Sequence, residues 1–442
     1  MTINYSWTVF ALSGAALSLP VMAQSQSDPV GLSIDGAVEV RSVENAGLQP
    51  SSSDYVSEIQ TITSLAAEGR LQGSWAEFLT NYRVEDRRYS EFEEDDESLI
   101  LGDSVLTLGP QRRHYYFQLS HSSREVSLDP LAADRPANRD NRVFISGVLY
   151  GSITPGRGNT LGAWVGATDI QFDENVTNEA RRYNVGLMFA RAVSPVSQAG
   201  LNVTGYDLEY QNVDGSDLRY TRAAATWRTE LRYLSYGAEI GSNRIETDSY
   251  SYSSPSVAAD LAYVSGPQSL RVSYNQFLSD TSQGAQSSSQ VASITDVEVD
   301  GRLSGVIDQY KLQQFAFSWE HAQVCSSCTL SVVMGVDQEK YVSFREFDSR
   351  ELSARMRFGY RASPAVSFSL QAGYRDFDEV NLEPSSGYDQ TSLDFTTSFP
   401  RLIRNGQLDL LLGGLKRDFD LGDGYETTYV GLRFNYRFYD NS

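Results

Sequence analysis

Few side chains in this 442-residue chain are suited to nucleophilic, metal or proton-transfer chemistry. There are three histidines, His114, His121 and His321, and two cysteines, Cys325 and Cys328. His114 and His121 lie seven positions apart, so on an extended strand they point to opposite faces and cannot share a ligand. Ser120 is next to His121, and neighbours on a strand point apart, which is the wrong geometry for a Ser–His dyad. The Cys325-x-x-Cys328 pair would need two further ligands to hold zinc, and no second cysteine pair supplies them. A local disulfide closing a tight turn, formed in an oxidising compartment, is the simpler reading. These residues predict no catalytic group, no metal and no cofactor.

Charge is more informative than nucleophiles. The chain has 57 acidic and 36 basic residues, a formal net charge of −21, and no basic patch to neutralise phosphates. That balance argues against nucleic acid as a partner. The densest acidic run is Glu91, Glu93, Glu94, Asp95, Asp96 and Glu97. It reads as a solvated loop facing outward, with divalent-cation binding as the alternative. The run lacks the DxDxDG spacing that would hold one calcium. A second set is basic: Arg355, Arg357, Arg361, Arg375, Arg433 and Arg437. Each falls on the polar side of a segment that alternates strictly. A stripe of guanidinium forks could guide carboxylate or sulfate groups along a wet wall. Acids on neighbouring strands could equally pair with them in a structural charge ladder.

The elements that must position these residues follow from a period of two. Thr428, Val430, Leu432, Phe434, Tyr436 and Phe438 share one face, and Thr427, Tyr429, Gly431, Arg433, Asn435 and Arg437 the other. Similar splits run through Leu330–Val336, Leu352–Tyr360 and Val366–Tyr374, each with one apolar and one wet wall. The segments span about 10 to 15 residues, longer than strands of ordinary soluble sheets. Short turns fall near 66–69, 109–111, 155–159, 194–197, 228–230, 266–268, 325–328, 363–365 and 400–406. Longer acidic or Ser-rich connections alternate with them. Nine short turns give 20 strands as the best count, within a range of 16 to 20.

Such strands, with short turns on one side only, predict an all-β fold: a transmembrane, antiparallel, up-and-down β-barrel. In lipid every backbone donor and acceptor needs an internal partner, so a spanning sheet must close on itself. Only 40 % of the residues are hydrophobic, as expected when half of each strand faces a wet lumen. The 26 tyrosines and 20 phenylalanines suit interfacial girdles. Residues 1–23 read as a secretory signal peptide with an apolar run from Val9 to Val21 and a Val21-Met22-Ala23 cleavage pattern, although its first residues lack Lys or Arg. Residues 24–30 read as a short periplasmic tail and 31–442 as one barrel. A soluble β-propeller is disfavoured, because each 40-residue repeat reads as two long strands, not four short ones.

The order of segments carries a resemblance. Tyr55-Val56-Ser57-Glu58-Ile59 leads to Ala67-Glu68-Gly69-Arg70, then Asn81-Tyr82-Arg83-Val84-Glu85-Asp86-Arg87-Arg88-Tyr89. Phe277-Leu278-Ser279-Asp280-Thr281-Ser282-Gln283-Gly284 and the terminal aromatic strand follow. This resembles the outer-membrane β-barrel proteins associated with exosortase (PEP-CTERM) and exopolysaccharide loci of Gram-negative bacteria. The last strand, Tyr425 to Phe438, is similar to the C-terminal recognition strand of bacterial outer-membrane proteins, with Tyr439 to Ser442 added.

The resemblance implies a bacterial outer-membrane location and a channel or accessory role in exporting extracellular polysaccharide. The implied partners are outer-membrane lipid and lipopolysaccharide, the barrel assembly machinery, and periplasmic export components. It implies no catalytic residues. Two other readings compete: a general porin for small solutes, in which Asp280 to Asp300 is the best candidate for an inward-folding loop, and a non-conducting docking barrel.

Overall fold

Alternation over the length of the chain produces twenty strands in the computed structural model. It describes residues 30–48, 56–109, 114–129, 131–132, 135–156, 158–213, 217–283, 307–381 and 386–440, without the side chains of 401 and 403. The first ten strands are β1 Val30–Glu44, β2 Glu58–Gln72, β3 Ala76–Tyr89, β4 Glu97–Leu108, β5 Tyr115–Ser127, β6 Arg139–Ile153, β7 Asn159–Phe172, β8 Ala180–Ser194, β9 Ser197–Tyr210 and β10 Leu218–Glu230. The others are β11 Leu234–Thr247, β12 Ser251–Ser265, β13 Gln268–Asp280, β14 Gln309–Cys325, β15 Cys328–Tyr341, β16 Ser349–Ser363, β17 Val366–Glu379, β18 Ser386–Ile403, β19 Gly406–Phe419 and β20 Tyr425–Asp440.

Every strand pairs antiparallel with its sequence neighbours, and β1 pairs with β20 from Ser33↔Asp440 to Glu44↔Thr428. The sheet is therefore a closed barrel without edges, as the sequence predicts. The signal peptide and nearly all of the predicted tail lie outside the described residues, and β1 begins at Val30.

Two predicted turns are misplaced. Residues 66–69 lie inside β2, where Gly69 faces Thr80 of β3 so closely that an added Cβ would meet its Cγ2 at 2.9 Å. The chain turns instead at 73–75. Similarly 228–230 end β10, whose ladder with β11 runs on to Glu230↔Ser235.

The outer wall is apolar and exposed. Val40, Leu432 and Leu410 stand in register across β1, β20 and β19 at 43 %, 51 % and 40 % exposure. An exposed apolar band of this kind suits burial in water-free hydrocarbon. Above it, towards the long connections, outward-facing residues become charged. The short-turn end includes the turn between β14 and β15, where Cys325 and Cys328 are joined by a disulfide with Cα atoms 4.8 Å apart.

Two ladders stop short of the long-loop end. Strands β4 and β5 pair only from Gly102↔Ser123 to Leu108↔Phe117, and β12 and β13 only from Val257↔Gln276 to Ser265↔Gln268. At the first, Ser123 Oγ donates to the Ile100 carbonyl (2.6 Å) in place of a backbone bond. At the second, Pro255 lacks an N–H to offer, and Gln276 Nε2 donates to its carbonyl at 3.0 Å.

Candidate functional site

The lumen is the site, and its two halves differ. Along β8 to β15 the upper lumen is packed. Beyond Gln276 the top of β13 swings inwards. Leu278 joins a cluster with Tyr206, Leu208, Tyr220 and Ile245, residues of the inner faces of β9, β10 and β11. Asp280, fully buried, takes the Arg182 guanidinium of β8 at 3.1 Å and the Tyr206 hydroxyl at 2.9 Å. Tyr206 and Tyr220 stack with centroids 4.7 Å apart. Thr281–Gln283 continue this stem as one short helical turn. The stem of the long β13–β14 connection thus lies against the inner wall. Most of the predicted inward loop, from residue 284 on, lies outside the described residues.

A second element crosses the mouth. The connection between β5 and β6 reaches β19, where Arg417 Nη1 donates to the Ala132 carbonyl at 3.0 Å. Arg417 is held from behind by Gln390 Oε1 (2.8 Å to Nε) and lies over the ring of Tyr388. The other end of the same connection is fixed by Arg135, whose guanidinium bonds Asp95 at 2.7 Å and covers Phe92.

The predicted acidic run is therefore only partly a free, solvated loop. Glu91, Glu93 and Glu94 are exposed, but Asp95 is buried under Arg135. Asp96 accepts from Arg88 (3.1 Å) and the Tyr89 amide (2.8 Å), and Glu97 bonds Arg87 at 2.7 Å. Among the described residues no group of three His, Cys, Asp or Glu is placed to hold a metal ion.

Opposite the packed half, β16 to β20 and β1 to β3 present a polar inner wall. The six predicted arginines lie on its lumenal parity. Arg433 reaches Asp409 (3.2 Å) and Glu39 (3.8 Å), with Asp409 fully buried. Arg437 pairs with Asp35 (2.9 Å) and Asp440 (2.8 Å), and Arg375 with Glu351 (3.3 Å). These three belong to a charge ladder.

Arg355, Arg357 and Arg361 of β16 stand opposite Val333, Ser331, Gly373, Gln371 and Ser367 across the ladders. Arg357 is fixed by Gln371 Oε1 at 2.8 and 3.1 Å, and Arg361 is exposed near the short turns.

The sequence reading missed Arg87, Arg182 and Arg417. For Arg87 a signal existed, since Arg83, Glu85 and Arg87 alternate on one face. In the structure Arg87 is surrounded by Glu85 (2.8 Å), Glu97 (2.7 Å) and Glu125 (2.9 Å), and Arg139 also reaches Glu125 at 3.3 Å. This cluster fills the place where the β4–β5 ladder stops. His121 lies on the outward parity of β5, where its Nδ1 meets the Tyr82 hydroxyl, and His114 precedes the strand.

No protein-family model matches the chain, and no curated protein matches it in sequence. Solved structures that resemble it include Pseudomonas aeruginosa OccK2 (OpdF), at 12 % identity over 93 % of this chain and 99 % of that one, with a TM-score of 0.40. Pseudomonas aeruginosa OpdQ, at 11 % identity over 93 % and 99 %, has a TM-score of 0.39. Acinetobacter baumannii OccAB4, at 9 % identity over 92 % and 98 %, has a TM-score of 0.38. The barrel rests on its own strand register, not on these likenesses.

Proposed function

We propose that this chain is a channel of the Gram-negative outer membrane that passes small polar solutes along the charged wall of β16 to β20 and β1 to β3. A closed barrel with an apolar belt suits a bilayer, and a lumen lined by ion pairs suits water. The observation that carries the reading is the division of the lumen: one half filled by the β13 stem, the other polar and lined by arginines. The row of guanidinium groups on the lumenal parity of β16, Arg355, Arg357 and Arg361, supports a preference for anions. The exopolysaccharide role implied by the family resemblance is less favoured. The β5–β6 connection and the β13 stem narrow the mouth, which suits small solutes better than a polymer.

Planar-bilayer recording with purified protein tests this. The wild type should conduct with reversal potentials favouring anions in a salt gradient, and R357Q/R361Q should lose that preference while keeping its conductance. A barrel that never conducts overturns the channel. An unchanged reversal potential in the variant overturns the arginine assignment. A deletion strain with reduced secreted polysaccharide and no small-solute uptake defect would restore the polymer reading.

A further inference from the structure

The outer wall of β5 to β8 is not evenly filled. On β6 and β7 large and small outward positions alternate in register: Leu149 stands opposite Val165, Gly151 opposite Ala163, and Ile153 opposite Leu161. The large ones are exposed, as are Tyr115 and Leu187, which flank the small pair on β5 and β8. Glycine and alanine side by side among larger neighbours leave a dip in the wall. It opens into a hollow of about 770 Å³ that reaches Phe189 of β8 and Leu201 of β9.

A second small pair on the same face, Gly147↔Ala167, shows the contrast. There the Phe117 ring lies 3.6 Å from where a Cβ on Gly147 would stand, so the chain covers its own glycine. A Cβ on Gly151 would meet nothing nearer than the His114 carbonyl oxygen, at 3.9 Å. One dip is filled and the other is left open. The lining of the open one contains no Asp, Glu, Lys or Arg, so it suits an apolar chain better than water. Its cation lies just outside. Arg191 is exposed on the same face of β8, two residues beyond Phe189 and about 7 Å nearer the short turns. Its ladder partners, Asn159 and Ala199, are neutral. At the other end of β8 the outward Arg181 is already paired with Asp169 (3.1 Å). An apolar hollow with a guanidinium at its end matches an amphiphile that has an acyl chain and an anionic head. Short turns of outer-membrane barrels face the periplasm, which places this end in the inner leaflet.

We propose that the hollow over Gly151 and Ala163 holds an acyl chain of an inner-leaflet glycerophospholipid, with Arg191 donating to its phosphate. The site goes beyond the channel and rests only on the membrane location in that proposal. One arginine near a lipid surface is worth roughly a fivefold gain in affinity for an anionic headgroup.

Native mass spectrometry of the full barrel, with palmitoyl-oleoyl phosphatidylglycerol as the probe, tests it. The wild type should keep one lipid through detergent exchange, and A163L and G151L/A163L, which fill the hollow, should lose it. R191Q should bind roughly fivefold more weakly, and R191K should match the wild type. A225L adds the same bulk at an exposed position of β10 outside the hollow and should also match the wild type. Equal binding by G151L/A163L and wild type overturns the site, as does equal loss in A225L. Unchanged affinity in R191Q overturns the phosphate contact, as does palmitoyl-oleoyl glycerol bound as tightly as the phospholipid. Inorganic phosphate displacing the lipid at equal concentration overturns the lipid source, and lipid A retained in preference to phosphatidylglycerol overturns the inner leaflet. Unit conductance of the same preparations reports the channel separately. A barrel that binds the phospholipid without conducting overturns only the channel.

Discussion

Arg87 shows how one side chain can replace a stretch of backbone ladder. It is 5 % exposed, and three carboxylates of β3, β4 and β5 point at it where β4 and β5 no longer exchange backbone hydrogen bonds. Buried ion clusters are costly to break from one side, because the remaining charges have no water to return to. Replacing Arg87 with Met therefore leaves Glu85, Glu97 and Glu125 facing one another and should cost about 3–5 kcal/mol. Urea titration of the folded barrel, followed by the heat-dependent gel shift, checks this. Adding Glu125→Gln should recover part of the loss by removing one stranded charge. A variant that unfolds at the wild-type urea concentration would mean that the seam is closed by something else. Arg437, between Asp35 and Asp440 but more than half exposed at its side chain, is a contrasting case. Exposed pairs contribute little, so Arg437→Gln should leave the transition close to wild type.

At the scale of elements, the β13 stem is the part most open to testing. Leu278 is 2 % exposed, and Leu→Ala at such a site costs about 2–5 kcal/mol. Removing Asp280 as well leaves Arg182 buried without its carboxylate. L278A/D280A should therefore release the stem from β8–β11 while the β13–β14 ladder, which runs from Gln268↔His321 to Asp280↔Gln309, holds the barrel together. Single-channel recording should then show a larger unit conductance and more frequent brief closures. If conductance is unchanged, the stem does not set the narrow point. The strands themselves were legible because alternation is a local signal, repeated twenty times. The error at Ala66–Gly69 arose because Ala-Ala-Glu-Gly looks like a turn, when the glycine is there to admit Thr80. What no local pattern could reveal are contacts between distant positions. Arg182 meets Asp280 across 98 residues and Arg417 meets Ala132 across 285. Both depend on how far a connection leans into the lumen, which periodicity does not encode. The acid partners of Arg433, Arg437 and Arg375 were hidden for a similar reason, since they depend on how the register sets one strand against the next.

The whole molecule has a charge axis. None of the nine short connections contains an Asp or Glu, and the exposed Arg232 and Arg404 fall within them. The ten long connections hold most of the acidic excess, including Glu91, Glu93, Glu94, Asp173, Glu174, Asp420 and Asp423. A mobile anion therefore meets an acidic mouth at one end, and Arg361 with a basic rim at the other. At about 10 mM salt the screening length is about 30 Å, comparable with the barrel's height, so both rims act on an ion inside the pore. Anions should enter more readily from the basic end, and the current–voltage curve should rectify in that sense. At 1 M salt the screening length falls to about 3 Å, the rims no longer reach the pore axis, and the curve should become symmetrical. Neutralising Glu91, Glu93 and Glu94 to Gln should weaken rectification at low salt without altering the 1 M conductance. These three are exposed, whereas Asp95 and Glu97 are tied to Arg135 and Arg87 and must be left in place. Recordings from barrels inserted in one orientation decide the matter. A symmetrical curve at low salt would show that the loop charges, for all their number, stand too far from the ion path to affect it.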